Sequence, residues 1–186
     1  MPRLESIYDR YVALTKEIKG FSPSTSTKFK KDLIEFFEGV DPKRERGAII
    51  EVGTFIGSTS CLLAMIAEKL NLPLILIDIS KDFLDKTLEN VSKCTGYRGI
   101  TAFRGSYSDF SDRVKLLESP LLVFIDADHR QEAVEQDIRA MMAMDPKPRY
   151  AALHDFNLRS TGKGRETIGV DRAATAVFGE FPKKTI

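Results

Sequence analysis

Carboxylates and imidazoles stand together at two places in the sequence, each directly after a short apolar run. Asp126, Asp128 and His129 follow one run, and His154 and Asp155 follow the next. Carboxylate oxygens bind hard cations such as Mg²⁺, which lower the pKa of a coordinated hydroxyl. A histidine near its ordinary pKa can instead accept a proton directly. The residue types indicate a site that activates a hydroxyl group, although His154 is equally explained as a hydrogen-bonded residue at a strand end.

A turn with two glycines follows an earlier apolar run and reads Glu51-Val52-Gly53-Thr54-Phe55-Ile56-Gly57-Ser58. Glycine lets the backbone approach a ligand closely, and the first turn of a helix has unpaired N–H groups. A dinucleotide-binding fingerprint needs a glycine where Phe55 stands, which disfavours NAD and FAD. Asp78 ends the next apolar run and can accept two hydrogen bonds from a ribose diol. Both features fit a nucleoside that lacks a pyrophosphate.

The elements that must position these residues alternate between strands and helices. Strands that are apolar on both faces and separated by helices form a parallel sheet covered on both sides. We therefore predict an α/β fold with a doubly wound, mostly parallel sheet, whose ligands bind beyond the carboxyl ends of the strands. The predicted strands are 48–52, 74–77, 100–103, 121–125 and 150–153, and the predicted helices are 4–18, one from residue 26 or 27, 58–70, one around 84–91, 112–117, 130–144 and 170–178.

Length and charge exclude several classes of protein. The chain has 186 residues and a mass of 20.9 kDa, which fits one α/β domain at 47–186 preceded by an N-terminal helical segment at 1–46 that acts as a cap or interface. The net charge of +1 lacks the basic excess that holds nucleic acid or an anionic membrane. No apolar run approaches the roughly 20 residues of a membrane helix. Two cysteines cannot build a disulfide framework, so we predict a cytoplasmic protein.

Four segments of the sequence resemble class I S-adenosylmethionine-dependent methyltransferases. They are residues 49–60 (IIEVGTFIGSTS), 76–78 (LID), 124–129 (FIDADH) and 153–155 (LHD). Within that class the chain is similar to methyltransferase family 24 and to the cephalosporin-hydroxylase-like proteins, over residues 48–155. The resemblance implies a Rossmann-like fold, S-adenosyl-L-methionine as cofactor and methylation of a small molecule. The acidic groups favour oxygen as the methyl acceptor; the alternative is a catalytically inactive S-adenosylmethionine-binding or regulatory protein on the same fold.

The resemblance also implies where the cofactor binds. The glycines of the turn would line its methionine part, Glu51 would lie near its amino group, and Asp78 would hold its ribose. Gly105 and Ser106, with Tyr107 as a further candidate, would lie beside the adenine. The complete set that the resemblance predicts to bind the cofactor is Glu51, Gly53, Thr54, Gly57, Ser58, Asp78, Gly105, Ser106 and Asp126.

The residues expected to take part in methyl transfer differ from those of a related group of enzymes. Cation-dependent catechol-type O-methyltransferases carry an Asp matching Asp126, a catalytic Lys matching His129, and an Asp-Asn pair where this chain has Asp155-Phe156. Because phenylalanine cannot be a ligand, the dependence on Mg²⁺ stays open. The predicted metal ligands are Asp126 and Asp155, with Asp128 in reserve. The predicted catalytic residues are His129, as general base, and Asp126.

The C-terminal part is short for this class of fold. A methyltransferase sheet usually adds two more strands, whereas here a basic stretch at 159–165 leads to the last predicted helix. The sheet is trimmed, or a partner subunit covers its edge, or the sequence is a shortened one. An uncovered sheet edge invites pairing with another chain, which favours a homodimer. The basic residues of the stretch, Arg159, Lys163 and Arg165, are expected in a solvated loop.

Overall fold

The computed structural model describes residues 5–21, 25–41, 44–156 and 168–179. Its centre is a parallel sheet of five strands in the order β3-β2-β1-β4-β5. This order confirms the predicted doubly wound α/β fold, because the chain winds outward from β1 in both directions. The strands are β1 (Ile49–Val52), β2 (Leu74–Asp78), β3 (Ile100–Arg104), β4 (Leu122–Ile125) and β5 (Tyr150–Leu153).

Helices cover both faces of this sheet. Along β1, Ile49 packs into one apolar layer and Ile50 into the other, as the period of two in a strand requires. The first layer contains helices α1 (Glu5–Lys16), α2 (Thr27–Glu38), α3 (Ser58–Leu70) and α4 (Lys81–Cys94); the second contains α5 (Tyr107–Arg113), α6 (Gln131–Ala143) and α7 (Val170–Phe178).

Helix α5 corrects the sequence-based prediction of a helix at 112–117. The hydroxyl of Ser106 accepts a hydrogen bond of 3.0 Å from the backbone N–H of Asp109, and the Asp109 carboxylate accepts one of 3.2 Å from the N–H of Ser106. This capping box starts the helix at Tyr107, and the helix ends at Arg113. The prediction was wrong because it followed the apolar spacing beyond this point, where Leu117 is fully exposed.

The N-terminal helices pack on the helix that follows β1. The hydroxyls of Tyr11 and Ser58 lie 3.3 Å apart, and those of Thr25 and Thr59 lie 3.2 Å apart. Apolar residues of α1 and α2 belong to the same core as α3 and α4. The division of the chain at residue 46 stays a prediction.

Strand β5 forms one edge of the sheet in the part of the chain that the structure describes. The basic stretch at 159–165, for which a solvated loop was predicted, lies outside the described residues. None of the described helices combines the length and the apolar character needed to cross a bilayer.

Candidate active site

A cleft of about 590 Å³ opens at the carboxyl ends of β1, β2 and β4. This is the place where the strand order reverses, which is where doubly wound sheets bind ligands. The acidic and histidine residues predicted from both strand ends, 126–129 and 154–155, lie on its wall. So do seven of the nine residues predicted to bind a cofactor, namely Glu51, Gly53, Thr54, Asp78, Gly105, Ser106 and Asp126.

The other two predicted residues lie behind this wall. The Ser58 side chain is 1% exposed, and its hydroxyl faces Tyr11. A Cβ atom on Gly57 would lie 3.1 Å from Thr87, so this glycine allows α3 to approach α4 closely. Thr59 lines the cleft instead. A role for Gly57 and Ser58 in cofactor binding stays a prediction.

Gly53 brings the turn after β1 against the turn after β4. Its φ of +87° belongs to the left-handed region that favours glycine. A Cβ atom at this position would lie 2.4 Å from the backbone oxygen of Asp126 and 2.5 Å from the Cα of Ala127. Any other residue would push these two turns apart and displace Asp126 from the cleft.

The carboxylate of Asp78 holds the glycine turn in place. Its Oδ2 accepts hydrogen bonds from the backbone N–H of Thr54 at 2.9 Å and of Phe55 at 3.3 Å, and from the Thr54 hydroxyl at 3.2 Å. Its Oδ1 accepts one from the backbone N–H of Ser80 at 2.9 Å. A carboxylate oxygen has two lone pairs, so Oδ1 can accept a further hydrogen bond.

Glu51 is buried with an incomplete set of hydrogen bonds. Its side chain is 1% exposed, and Oε2 is a buried atom without a hydrogen-bond partner. Burial raises the pKa of this carboxyl well above its usual range, and the charges of Asp126 and Asp78 act in the same direction. A ligand with a positive charge and N–H donors at this position would stabilise the ionised carboxylate and would also supply the missing hydrogen bond to Oε2.

Two carboxylates and two imidazoles converge at the other end of the cleft. The Nδ1 atom of His154 lies 2.8 Å from Oδ1 of Asp126 and 3.4 Å from Oδ1 of Asp155. The Nε2 atom of His129 lies 3.3 Å from the same Asp126 oxygen and 3.5 Å from Oδ2 of Asp155. We call these four residues the Asp/His cluster.

The cluster shifts the acid–base properties of its members. Burial raises the pKa of Asp126, but the hydrogen bonds and charges of His129 and His154 outweigh it and leave this pKa lowered. The hydrogen bond to Asp126 raises the pKa of His129, against the effect of burial, and the charge of Asp155 adds to it. The two groups thus stabilise each other in their charged forms.

Two neighbours of the cluster stay outside it. Asp128 binds the guanidinium of Arg130, with its Oδ2 at 2.8 Å from Nε. Phe156 packs against the apolar layer that contains α5, α6 and α7, as expected of a residue that cannot be a ligand.

His154 is a cluster member for which the sequence supported a functional and a structural role equally. Its ring packs edge-on against Phe29 of α2, with the ring centroids 5.0 Å apart, and Phe124 lies 6.3 Å away on β4. The signal was its position after an apolar run, which was also compatible with a purely structural role. Helix α2 thus helps to orient a residue of the site.

Asp137 lies on the same wall and was not indicated by the sequence. Burial and the charge of Asp128 raise the pKa of Asp137 to about 6.

Two non-glycine residues of the wall have a left-handed backbone conformation. Phe55 has a φ of +48° and Asp155 a φ of +55°. This conformation is unusual for such residues and is found most often at functional sites. The wall residues that the sequence did not indicate are Ile79, Ser80, Phe83, Ala133, Gln136 and Asp137.

Comparisons with known proteins identify the domain. A family model described as a methyltransferase domain, that of methyltransferase family 24, matches residues 50–156. No curated protein matches the sequence significantly.

Solved structures show the same fold at low sequence identity. The O-methyltransferase TomG from Streptomyces achromogenes, in complex with SAM, is 16% identical with a TM-score of 0.59, over 94% of this chain and 78% of that chain. The O-methyltransferase from Bacillus cereus, in complex with SAH, is 16% identical with a TM-score of 0.60, over 97% and 80%. The cofactor-bound protein Rv0187 from MTB is 18% identical with a TM-score of 0.61, over 98% and 79%.

The family match covers more than half of the chain and includes both ends of the cleft, from the glycine turn to Asp155. The further resemblance to cephalosporin-hydroxylase-like proteins stays a prediction. This chain therefore belongs to methyltransferase family 24 and is a class I S-adenosylmethionine-dependent methyltransferase.

Proposed function

We propose that the cleft binds S-adenosylmethionine and that the enzyme methylates an oxygen atom of a small molecule. The observation that carries this proposal is the continuity of the cleft. At one end lie the buried Glu51 and the carboxylate of Asp78, and at the other lies the Asp/His cluster. A donor bound at the first end would direct its reactive group towards residues able to take a proton. Two structural neighbours, TomG and the Bacillus cereus enzyme, are O-methyltransferases described with SAM or SAH bound.

Each part of the proposed donor has a matching group on the wall. Its α-ammonium group would pair with the carboxylate of Glu51 and favour its ionised form, and its N–H groups would reach Oε2, which has no protein partner. Its methionine chain would pass the backbone at Gly53, which lines the cleft. The ribose hydroxyls reach Oδ1 of Asp78, and the adenine lies beside Gly105 and Ser106 at the start of α5.

Methyl transfer from a sulfonium is an in-line displacement. A lone pair of the acceptor oxygen forms the C–O bond while the C–S bond breaks and sulfur keeps its electron pair. The acceptor must be aligned with the donor, and it must lose its hydroxyl proton. Two routes for this proton follow from the residues of the cluster: direct transfer to His129 in its neutral form, with Asp126 stabilising the imidazolium that results, or release from a hydroxyl activated by a bound cation.

Magnesium is a poor match for the donor atoms of the cluster. The predicted ligands Asp126 and Asp155 offer carboxylate oxygens, but two imidazole nitrogens lie among them. Mg²⁺ prefers oxygen ligands in an octahedral arrangement and keeps several waters. We therefore assign no step of the proposed mechanism to Mg²⁺.

An inactive binding protein is not favoured, because the chain keeps a polar cluster at the acceptor end of its cleft in addition to the cofactor end. A homodimer and a cytoplasmic location remain predictions. Tyr150, on the edge strand β5, has 42% of its surface exposed, so an associating chain would bury it. Sedimentation velocity at micromolar concentration tests the dimer.

Calorimetry and an acceptor screen test the proposed function. The protein should bind S-adenosylhomocysteine at a single site and should not bind NAD. Incubation with S-adenosylmethionine and a panel of hydroxylated small molecules should then yield S-adenosylhomocysteine together with a methyl ether. Binding of NAD in place of S-adenosylhomocysteine, or methylation at nitrogen alone, would contradict the proposal.

A further inference from the structure

We propose that Asp137 recognises the adenine base of the donor by accepting a hydrogen bond from its exocyclic amino group. Asp137 is then a specificity residue. It distinguishes an adenine nucleoside from a hypoxanthine nucleoside, which carries a carbonyl oxygen in place of the amino group. This inference rests on the proposed function, because it assigns a further residue to the same cofactor site.

One face of helix α6 lines the cleft. Ala133, Gln136 and Asp137 are three and four residues apart, so their side chains lie on the same side of the helix, and all three belong to the cleft wall. Val134 and Ile138 belong instead to the apolar layer between the helix and the sheet, where both are buried. The carboxyl of Asp137 therefore faces the cleft and not the core.

Asp137 lies near the start of α5, where the adenine is expected. Burial raises the pKa of Tyr107, the first residue of α5, and the charge of Asp137 adds to this effect. The charge of Asp128, in the loop after β4, acts on Asp137 in turn. The Asp137 carboxyl thus lies between that loop and the start of α5. Gly105 and Ser106, beside which we place the adenine, directly precede Tyr107.

The polar side chains at the start of α5 already have partners in the protein. The hydroxyl of Ser106 donates a hydrogen bond of 2.7 Å to the carboxylate of Asp109, within the capping box. The hydroxyl of Tyr107 donates one of 2.7 Å to the sulfur of Met144. Asp109 also lies 3.6 Å from the guanidinium of Arg113. These contacts hold α5 in place, so an acceptor for the adenine amino group is expected from another element.

The Asp137 carboxyl is such an acceptor. It accepts no hydrogen bond from the part of the chain that the structure describes. Burial and the negative charge of Asp128 both disfavour its ionised form, which is why its pKa is raised to about 6. A partly buried polar group without a partner is costly, and an N–H donor from a ligand would satisfy it and favour the ionised form.

The chemistry of a carboxylate determines which base it can bind. An ionised carboxylate only accepts hydrogen bonds, so it pairs with the amino group of adenine and repels the carbonyl oxygen of hypoxanthine. A side-chain amide offers both an NH₂ donor and a carbonyl acceptor, so it can pair with either base. A site that is built to bond a donor of its ligand rejects an analogue that lacks this donor.

Calorimetry of the full chain with S-adenosylhomocysteine and S-inosylhomocysteine tests this assignment. The parent protein should bind the adenine ligand at least about tenfold more tightly, as expected for a hydrogen bond to a charged group. Asp137→Asn should reduce this preference to about threefold or less, because its amide can donate to the hypoxanthine carbonyl. Asp137→Ala should reduce it by weakening the adenine ligand alone. The matched control is Glu132→Gln, an exposed acid of the same helix outside the cleft wall, which should keep the parent preference.

The ratio of the two affinities separates recognition of the base from stability of the fold. A variant that only loosens the structure lowers both affinities by the same factor and keeps the preference. Equal binding of both ligands by the parent, or an unchanged preference in the two Asp137 variants, would overturn the role of Asp137 and leave the proposed function intact. Absence of S-adenosylhomocysteine binding by the parent would contradict the proposed function, and this inference with it.

Discussion

The backbone N–H of Thr54 donates a hydrogen bond of 2.9 Å to Oδ2 of Asp78, so the acid that ends β2 holds the turn that ends β1. The same oxygen accepts from the Thr54 hydroxyl and from the N–H of Phe55. The glycine turn is thereby positioned before a ligand arrives. Asp78 has two functions in our interpretation: Oδ2 positions the turn, and Oδ1 meets the ligand.

The substitution Asp78→Asn should weaken both functions. The side-chain amide of asparagine carries no negative charge. Its NH₂ group is a hydrogen-bond donor at a position where a carboxylate oxygen of Asp78 accepts a hydrogen bond from the turn or from the ligand. Hydrogen bonds to charged groups contribute about 1.5–3 kcal/mol each, so we expect at least about a tenfold loss of S-adenosylhomocysteine affinity and a lower free energy of unfolding. Calorimetry and urea unfolding measure the two effects. The exposed Asp112→Asn variant, at the end of α5, should retain both values within about 0.5 kcal/mol.

Gly53→Ala should be far more damaging than the same change at Gly20. Both glycines have positive φ, +87° and +76°, so both substitutions carry the left-handed penalty of about 1–2 kcal/mol. A Cβ atom at residue 20 meets nothing within 4 Å, whereas at residue 53 it meets the backbone of Asp126 and Ala127. We expect the Gly53 variant to lose at least about 2 kcal/mol more in urea unfolding, on the scale of overpacked sites. Equal losses in the two variants would contradict the close contact of the two turns.

Glu51 should make the ligand-free protein less stable as the pH rises. The folded state raises the pKa of this carboxyl, so above the ordinary value of about 4.3 the folded protein holds a proton that the unfolded chain has released. The free energy of unfolding should therefore fall from about pH 4.3 upward, until the folded-state pKa is passed.

The Glu51→Gln variant separates stability from binding. It should remove this decline, unfold at a higher urea concentration than the parent at neutral pH, and yet bind S-adenosylhomocysteine more weakly, because an amide does not compensate an ammonium charge. The exposed Glu35→Gln variant should retain the decline. If Glu51→Gln is less stable than the parent at neutral pH, the carboxylate is already satisfied in the ligand-free protein.

Lys30 should have the opposite pH dependence in the alkaline range. Its side chain is 2% exposed, Nζ donates to the backbone oxygen of Thr25 at 2.5 Å, and burial lowers its pKa to about 8 against the favourable charge of Asp126. Between about pH 8 and about 10.4 the unfolded chain binds the extra proton, so the Lys30 contribution to stability should increase over this range.

The difference between two lysine variants isolates this contribution. Lys30→Met should lack the alkaline increase in urea unfolding, whereas Lys31→Met, at the exposed neighbouring position, should retain it. If both variants follow the parent, Lys30 titrates alike in the folded and the unfolded protein, and burial does not lower its pKa.

Much of the architecture was predictable because it depends on local patterns. Short continuous apolar runs indicated all five strands, and apolar residues spaced three and four apart indicated most helices. Parallel strands place their polar ends at one edge of the sheet. The shifted helix α5 is the exception, since a capping box between Ser106 and Asp109 decided its start rather than apolar spacing. The glycine turn and Asp78 could be identified for the same reason: a short strand-turn-helix segment determines its own geometry.

The sequence by itself determined which residues stand at the strand ends, but only the tertiary structure decided which of them meet. No local pattern states that β5 pairs with β4, or in which register. The pairing of Ile125 with Leu153 places Asp126 beside His154, two residues that are remote in the chain. The Asp/His cluster arises from this strand order, and contacts between distant segments depend on packing of the whole core rather than on any one segment.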